Sequence, residues 1–256
     1  MKVALCVPAY DGRVHDEHAN SIAHTMANAH KYGIEIKLMI GRGCPVLPDV
    51  RNYLVAKALS EGCDKVWFVD SDIAWTNSIH EALNMLKAPG DIVAAVHQRK
   101  NGTWNGPANL VVQWGKMPPP ADEETGLWEV ERVATAFVVI DKSVFRRIAD
   151  ANLARPYLPS RVYPEERVYP FLRNYYWYDF QPAVLDATLK AHLQAIGYDG
   201  PLESIEGEDY YFCRQAQKAG CKILVDPRVE LIHFDGCVQH NVSLKNARFE
   251  AEEKAA

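Results

Sequence analysis

Short apolar segments alternate with segments of helical period along most of this chain, and this alternation constrains its fold more than any other feature. Strands and helices that alternate in this way form βαβ units and a largely parallel sheet. We therefore predict an α/β protein with a mostly parallel central sheet flanked by helices. The predicted strands are 2–7, 35–40, 65–69, 91–96, 130–140, 221–225 and 229–234, and the predicted helices are 15–32, 49–60, 79–86, 141–149 and 207–219.

The length of 256 residues and the hydrophobic fraction of 48% suit one large α/β domain. We place this domain at residues 1–240 and a charged tail at 241–256. The net charge of −5 argues against strong non-specific nucleic-acid binding, although it leaves room for a local basic groove. The first apolar run is too short for a signal peptide, and no run approaches the roughly 18 residues of a membrane span. Because the six cysteines form no C-x-x-C pair and several lie in predicted strands or helices, we expect free buried thiols in a reducing, cytoplasmic environment. The lack of a long apolar run predicts no integral membrane contact.

The predicted strand at 65–69 runs directly into two carboxylates, Asp70 and Asp72. Open α/β sheets bind ligands at the carboxyl ends of their strands, which is where these acids lie. Carboxylate oxygens in that position suit Mg²⁺ or Mn²⁺ shared with a phosphate. Alone, the D-x-D pattern is more typical of an Asp-rich turn, so its interpretation depends on other residues at the same edge.

An acidic pair and a histidine lie in the C-terminal part of the chain. Glu208 and Asp209 begin a predicted helix, where acids commonly complement the helix dipole. Asp209 precedes Phe212 by three residues, so we expect it on the buried side, where it could accept a proton from a substrate hydroxyl. His233 ends an apolar strand and is either a structural histidine or a metal ligand.

Polar and basic residues near predicted strand ends form a weaker signal. Arg51 and Asn52 lie near the start of the helix that precedes the D-x-D strand, and Lys100 follows the strand at 91–96. These residues either belong to a solvated surface or contact a nucleotide or diphosphate.

Taken in order, these motifs resemble those of the GT-A superfamily of nucleotide-sugar glycosyltransferases, especially family-2-like members from bacteria and phages. The resemblance extends from Val3 to His233 and implies a single GT-A, Rossmann-like domain. It is carried by the D-x-D, by an R-N helix before it, by an E-D-x-x-F-C-R helix and by a closing metal histidine. One departure is that Ala134 and Ala136 replace glycines of the family pattern, which narrows the space near the donor sugar. The similar segments are 7–10, 50–54, 68–72, 133–141, 207–214, 225–227 and 232–234.

The resemblance implies metal-dependent transfer of a sugar from a nucleoside-diphosphate sugar, with a UDP-sugar favoured, to a hydroxyl acceptor. Asp72 and His233 are then expected to bind Mn²⁺ or Mg²⁺ together with the diphosphate, and Asp70 to contact the ribose or the metal. Asp209 is the implied general base of an inverting displacement, and Glu208 orients it or holds the acceptor; a retaining outcome stays open. The implied donor contacts are Pro8, Ala9, Tyr10, Asp11, Arg51, Asn52, Asp70, Ser71 and Lys100.

Residues 155–206 are predicted to form an aromatic acceptor or lid region, since aromatic side chains crowd residues 157–180. These rings either stack on sugars or nucleobases or simply pack the lid. The acceptor is therefore open between a saccharide and a hydroxymethylated DNA base. The arginines of this region that could face phosphates are Arg155, Arg161, Arg167 and Arg173.

Two other functions fit part of the pattern. A nucleotidyltransferase also uses acidic metal ligands in an α/β nucleotide site, but residues 7–13 lack the Gly-rich basic phosphate loop that such an enzyme typically needs. A catalytically inactive nucleotide- or sugar-binding module is the other alternative. The joint presence of Asp70, Asp72, Asp209 and His233 argues against it.

Overall fold

The computed structural model describes residues 1–97, 111–115, 121–157, 166–182, 203–235 and 238–242, together with the isolated positions 191 and 195. The helices are α1 (Asp16–Ala29), α2 (Leu47–Ser60), α3 (Ile79–Lys87), α4 (Lys142–Asp150) and α5 (Glu208–Lys218), with 3₁₀ turns at His30–Tyr32, Thr76–Ser78 and Glu166–Phe171. The strands are β1 (Lys2–Pro8), β2 (Glu35–Gly41), β3 (Lys65–Val69), β4 (Ile73–Ala74), β5 (Ile92–Ala94), β6 (Val112–Gln113), β7 (Trp128–Glu129), β8 (Arg132–Val133), β9 (Phe137–Asp141), β10 (Asp179–Pro182), β11 (Glu203–Glu206), β12 (Ile223–Val225), β13 (Leu231–Asp235) and β14 (Val238–Val242).

The central sheet of the described residues has seven strands in the order β2-β1-β3-β9-β5-β12-β7. Strands β2, β1 and β3 run parallel, and so do β5 and β12. Strand β9 is inserted antiparallel between β3 and β5, and β7 pairs antiparallel with β12. Five of the seven strands therefore share one direction. This confirms the predicted α/β class with a mostly parallel central sheet.

Helices cover both faces of this sheet because successive side chains of each strand point to opposite faces. In β3, Val66 and Phe68 pack in one buried cluster and Trp67 and Val69 in another. The first cluster includes buried residues of α2, α4 and α5, and the second includes buried residues of α1 and α3. All five residues of β3 are buried, as expected for a strand covered on both faces.

A second, three-stranded sheet joins distant parts of the chain beside the carboxyl end of β3. Its order is β14-β13-β4, and His233 of β13 lies opposite Ile73 of β4. Since β4 begins one residue after Asp72, this pairing brings the C-terminal part of the chain against the D-x-D loop.

The prediction of one continuous strand at 130–140 is wrong, because two separate strands lie there. Strand β8 pairs with β6 in a separate two-stranded sheet, and β9 belongs to the central sheet. The intervening residues Ala134, Thr135 and Ala136 are buried but lie outside both strands. All three residues are small and buried, so the sequence pattern across them resembles that of one continuous buried strand.

Among the described residues, Cys6, Cys44, Cys63, Cys213 and Cys221 are buried and form no disulfide. In the part of the chain that the structure describes, no helix has the length and apolar character needed to cross a membrane.

Candidate active site

The D-x-D residues form a turn at the carboxyl end of β3. The backbone N–H of Asp70 donates to the carbonyl of Ala136 at 2.9 Å, and the N–H of Ile73 donates to the carbonyl of Asp70 at 3.0 Å. The first bond ties the turn to the segment that precedes β9, and the second closes the turn before β4. The sequence prediction that these acids lie at a strand end is therefore matched by their position.

His233 faces Asp72 across the junction of the two sheets. Its Nε2 lies 3.7 Å from Asp72 Oδ2, and the N–H of Phe234 donates to the Asp72 carbonyl at 2.9 Å. The edge of the His97 ring packs against His233, with centroids 4.8 Å apart. Asp72 and His233 are 161 positions apart in the chain. A backbone hydrogen bond from Phe234 to Asp72 and the approach of the two side chains hold them together.

An oxygen and a nitrogen donor that face each other in this way suit Mn²⁺ or Mg²⁺, provided that other ligands complete the coordination. Among the described residues, no three His, Cys, Asp or Glu side chains converge closely enough to enclose an ion. Within the described ranges, Asp72 and His233 are therefore a facing pair without a third such side chain placed to share an ion. Asp70, the third predicted metal ligand, forms an ion pair with Arg51 at 3.1 Å.

A cleft of about 360 Å³ opens beside these acids, at the carboxyl ends of β1 and β3, and we call it the β1 cleft. Tyr10, at 64% exposure, presents an aromatic ring there. Cys44, Pro45, Leu47 and Val50 supply the wall from the α2 side. The residues predicted as donor contacts or metal ligands that line this cleft are Pro8, Ala9, Tyr10, Asp11, Asp70, Ser71 and Asp72.

Arg51 and Asn52 lie beneath the surface of the site. Asn52 is fully buried. Its side-chain amide forms two hydrogen bonds with the backbone of Tyr176: Nδ2 donates to the carbonyl, and Oδ1 accepts from the N–H, both at 2.9 Å. Arg51 is 1% exposed, and its guanidinium packs over the rings of Phe68 and Tyr176 at 5.3 and 5.9 Å. Both residues therefore contact protein groups that shape the site.

Arg51 is the centre of a carboxylate cluster that consists of Asp70, Glu208 and Asp209. Its Nη2 lies 3.1 Å from Asp70 Oδ1 and 3.9 Å from Asp209 Oδ1, and its Nε lies 3.8 Å from Glu208 Oε1. Its Nη1 donates to the carbonyl of Thr135 at 3.4 Å. Burial alone would lower the pKa of Arg51, but the three carboxylates outweigh it and hold this pKa above its ordinary value.

The carboxylates of this cluster also influence one another. Burial raises the pKa of Asp70; Arg51 opposes this rise, while Asp209 and Asp72 add to it. Burial likewise raises the pKa of Glu208, with a further contribution from Asp209 and opposition from Arg51. One buried guanidinium thus faces three carboxyl groups, which disfavour one another's ionisation.

Asp209 lies in the first turn of α5, where the helix dipole favours an acid. Its carboxylate accepts a hydrogen bond from the hydroxyl of Thr135, and 24% of its side chain is exposed. Glu208 is more enclosed, with 12% of its side chain exposed. Asp209 is therefore both positioned by protein donors and accessible from solvent, as a proton acceptor must be.

A second cleft, of about 480 Å³, lies between the antiparallel strand pair of β10 and β11 and the start of α5, and we use the name hairpin cleft for it, without reference to how the two strands are connected. Asp209 lines it. Arg132, another lining residue, binds Glu206 at 3.0 Å, and Arg214 binds both Glu206 and Asp179 at 2.7 and 2.5 Å. These ion pairs fix the strand pair to α5 and β8.

The aromatic region divides into two groups. Tyr175 and Tyr176 are buried, and they pack against Phe145 and Phe212 with centroids 5.1 and 4.7 Å apart. Trp177, Tyr178 and Phe180 are exposed by 41%, 47% and 62%. Tyr175 and Tyr176 therefore pack the protein interior, which is one of the two roles predicted for this region. The rings of Trp177, Tyr178 and Phe180 are exposed and could contact a ligand.

Some of the predicted basic contacts are not placed beside the clefts. Arg155 is exposed, and Arg173 Nη1 donates to the carbonyl of Ala154 at 3.3 Å. Lys100, Arg161 and the side chain of Arg167 lie outside the described residues.

Thr135 and Arg132 were not predicted as site residues, yet Thr135 contacts Asp209 and Arg132 contacts Glu206. Thr135 lies within the segment 133–141 that carries the family resemblance, so its presence there was the available signal. Arg132 lies outside every segment that carries the resemblance, so no sequence motif pointed to it.

Comparisons with known proteins give distant likenesses. No protein-family model matches this chain, and no curated protein matches it. The structure of A197 from STIV aligns with 92% of this chain and 87% of its own, at 14% identity and a TM-score of 0.45. The structure of S. aureus TarS 1–349 aligns with 67% of this chain and 54% of its own, at 15% identity and a TM-score of 0.36. TarS 1–349 in complex with UDP-GlcNAc aligns with 62% and 49%, at 16% identity and a TM-score of 0.35. The chain thus spans about half of the TarS structures, and likenesses this distant carry no argument about function.

Proposed function

We propose that this protein is a metal-dependent glycosyltransferase that moves a sugar from a nucleoside-diphosphate sugar, with a UDP-sugar as the favoured donor, to a hydroxyl acceptor. The acceptor is a saccharide or a hydroxymethylated DNA base. One observation carries the proposal: a single buried guanidinium, Arg51, holds Asp70 of the β1 cleft and Asp209 of the hairpin cleft within 3.1 and 3.9 Å of the same nitrogen. The two clefts therefore meet at one carboxylate cluster, as a two-substrate transfer requires.

The β1 cleft is the proposed donor site. Its residues Pro8, Ala9, Tyr10 and Asp11 would surround the nucleoside, and Asp70 and Ser71 would lie beside the ribose and diphosphate. The facing side chains of Asp72 and His233 would hold Mn²⁺ or Mg²⁺, which when bound offsets the charge of the leaving diphosphate. Arg51 and Asn52 act from beneath, since Arg51 fixes Asp70 and Asn52 fixes the backbone of Tyr176.

Asp209 is the proposed general base of an inverting displacement. The acceptor oxygen forms a bond to the anomeric carbon, and the bond from that carbon to the diphosphate oxygen breaks. The nucleoside diphosphate leaves with the electron pair, and the acceptor proton passes to the Asp209 carboxylate. The Thr135 hydroxyl and the Arg51 guanidinium orient this carboxylate, and Glu208 lies beside it on the same helical turn.

The test is release of nucleoside diphosphate from UDP-glucose, UDP-N-acetylglucosamine and GDP-mannose, measured with Mn²⁺ and with EDTA. We expect metal-dependent release from at least one donor. In the presence of acceptor, Asp209→Asn should lower transfer by roughly 10²–10⁴-fold, the usual contribution of a general base. The matched control is Asp150→Asn, which changes an exposed acid at the end of α4 that lines neither cleft and should retain full transfer.

Absence of turnover with every donor, together with no Mn²⁺-dependent thermal shift with UDP or GDP, would contradict the proposal. Release of inorganic pyrophosphate from a nucleoside triphosphate would instead support the nucleotidyltransferase alternative.

A further inference from the structure

We infer that the hairpin cleft binds the acceptor and that this acceptor is an uncharged sugar unit with free hydroxyl groups. This inference rests on the proposed function and deepens it, because sequence and fold leave the acceptor open between a saccharide and modified DNA. The residues of the cleft that carry the argument are Arg132, Gln181, Ser204, Glu206, Asp209 and Tyr210.

The position of the cleft is the first step. Asp209 lines the hairpin cleft, whereas Asp70, Ser71 and Asp72 line the β1 cleft. A hydroxyl group bound in the hairpin cleft can therefore reach the Asp209 carboxylate without entering the space of the donor. The two substrates would reach the carboxylate cluster through different clefts.

Charge is the second step. Among the described residues, the cleft is lined by the carboxylates Glu206 and Asp209 and by one cation, Arg132. That cation is already bonded to Glu206 at 3.0 Å. The neighbouring Arg214 is likewise bonded to Glu206 and Asp179. A polyanion needs lysine or arginine side chains that neutralise its phosphates, and the one cation in the described lining of this cleft is already in an ion pair.

The polar lining is the third step. Gln181 and Ser204 lie opposite each other on β10 and β11 and bring side-chain oxygens to the cleft as acceptors. Their donor groups already bond within the protein, since Gln181 Nε2 donates to Asp179 Oδ2 at 3.1 Å and Ser204 Oγ donates to the Gln181 carbonyl at 3.4 Å. Tyr210 adds an aromatic ring, held 5.6 Å from the Arg132 guanidinium. Neutral hydrogen-bonding groups around one aromatic surface match a pyranose ring, which presents hydroxyl groups at its rim and C–H groups on its face.

Rigidity is the fourth step. The ion pairs among Arg132, Glu206, Arg214 and Asp179 join β8, α5 and the strands β10 and β11. A site fixed in this way loses little freedom when a ligand binds, which favours recognition of a small, weakly binding sugar.

Saturation-transfer NMR on the full chain tests the inference directly. The probes are methyl β-D-glucopyranoside, methyl β-D-galactopyranoside, N-acetylglucosamine and a short duplex that contains 5-hydroxymethylcytosine. We expect transfer to at least one sugar and none to the duplex at physiological salt. Tyr210→Ala should weaken sugar binding by roughly 2- to 10-fold, the loss of one aromatic contact, and Tyr210→Phe should retain it.

Ser204→Trp is the second variant, because Ser204 is exposed and a large ring there fills the cleft without disturbing the core. It should abolish sugar binding. Phe171→Ala is the matched control, since Phe171 is an exposed aromatic residue that lines neither cleft, and sugar binding should be unchanged.

Binding of the duplex in preference to every sugar would overturn the inference, as would sugar binding that Tyr210→Ala and Ser204→Trp leave intact. Donor hydrolysis by the unmodified chain separates the two proposals. Metal-dependent hydrolysis without sugar binding would overturn only the inference. Sugar binding without hydrolysis of any donor would contradict the proposed function and remove the acceptor role of the cleft.

Discussion

Arg51 is the residue on which most of the proposed chemistry depends, although it touches neither cleft directly. Its sequence position near the start of a helix indicated either a solvated side chain or a phosphate contact. The structure instead buries it at 1% exposure among Asp70, Glu208 and Asp209. A buried arginine in this setting keeps several acids close together that would otherwise repel one another.

Arg51→Ala should destabilise the fold by about 2–4 kcal/mol, because it leaves three partly buried carboxylates without their counter-charge. Arg51→Lys should recover only part of this loss, since an ammonium group cannot reproduce the forked contacts of a guanidinium. Urea unfolding measures both changes. Arg146→Ala, at an exposed position of α4, is the control and should change stability by less than about 0.5 kcal/mol. Equal losses for the two alanine variants would show that the carboxylate cluster does not depend on Arg51.

The sequence predicted where Asp209 lies on its helix but not the residue that contacts its carboxylate. Its spacing from Phe212 predicted an acid on the inner side of a helix, and the structure gives it a protein donor, Thr135, and partial exposure. The spacing could not reveal Thr135, because that contact joins residues 74 positions apart.

At the level of elements, α2 connects the aromatic segment to the carboxylate cluster. Arg51 and Asn52 are adjacent in α2, and Asn52 forms two hydrogen bonds to the backbone of Tyr176. Tyr157 adds a bond from its hydroxyl to Asp49 at 2.9 Å. The aromatic segment is therefore anchored to the same helix that positions Asp70.

Asn52→Ala should destabilise the protein by roughly 1–3 kcal/mol, because it leaves a buried N–H and a buried carbonyl of Tyr176 without partners. It should also accelerate native-state proteolysis within residues 166–178, which would lose their anchor. Asn84→Ala, on the exposed face of α3, is the control and should leave both measurements unchanged. A normal cleavage rate in Asn52→Ala would mean that other contacts hold this segment.

For the whole molecule, the important feature is that separate elements meet at one edge of the sheet. The carboxyl ends of β1 and β3, the segment before β9, the start of α5 and the pairing of β13 with β4 all contribute to this edge. Asp72 and His233 face each other only because the second sheet returns the chain to the D-x-D loop.

Binding of Mn²⁺ with UDP should therefore stabilise the whole fold. At a ligand concentration 100 times Kd the gain is about 2.7 kcal/mol, which corresponds to a rise in Tm of roughly 5–10 °C for a chain of this size. Asp72→Asn should lose most of this rise, and EDTA should remove it in the unmodified protein. Asp150→Asn, an exposed acid away from both clefts, should retain it. A full shift in Asp72→Asn would place the metal elsewhere.

Sequence alone was enough to predict the α/β class, most strands of the central sheet, the main helices, and the acids that lie at strand and helix ends; it did not predict the short strands β4, β6, β7, β10, β11 and β14. The predicted features are local: they follow from hydrophobic period, from glycine and proline punctuation and from residues within a few positions of one another. Only the tertiary structure decided that 130–140 is split around Thr135, that Arg51 is buried among three carboxylates, and that Asp209 lines a second cleft. Those facts depend on which residues from distant parts of the chain pack together, and no local pattern records that choice.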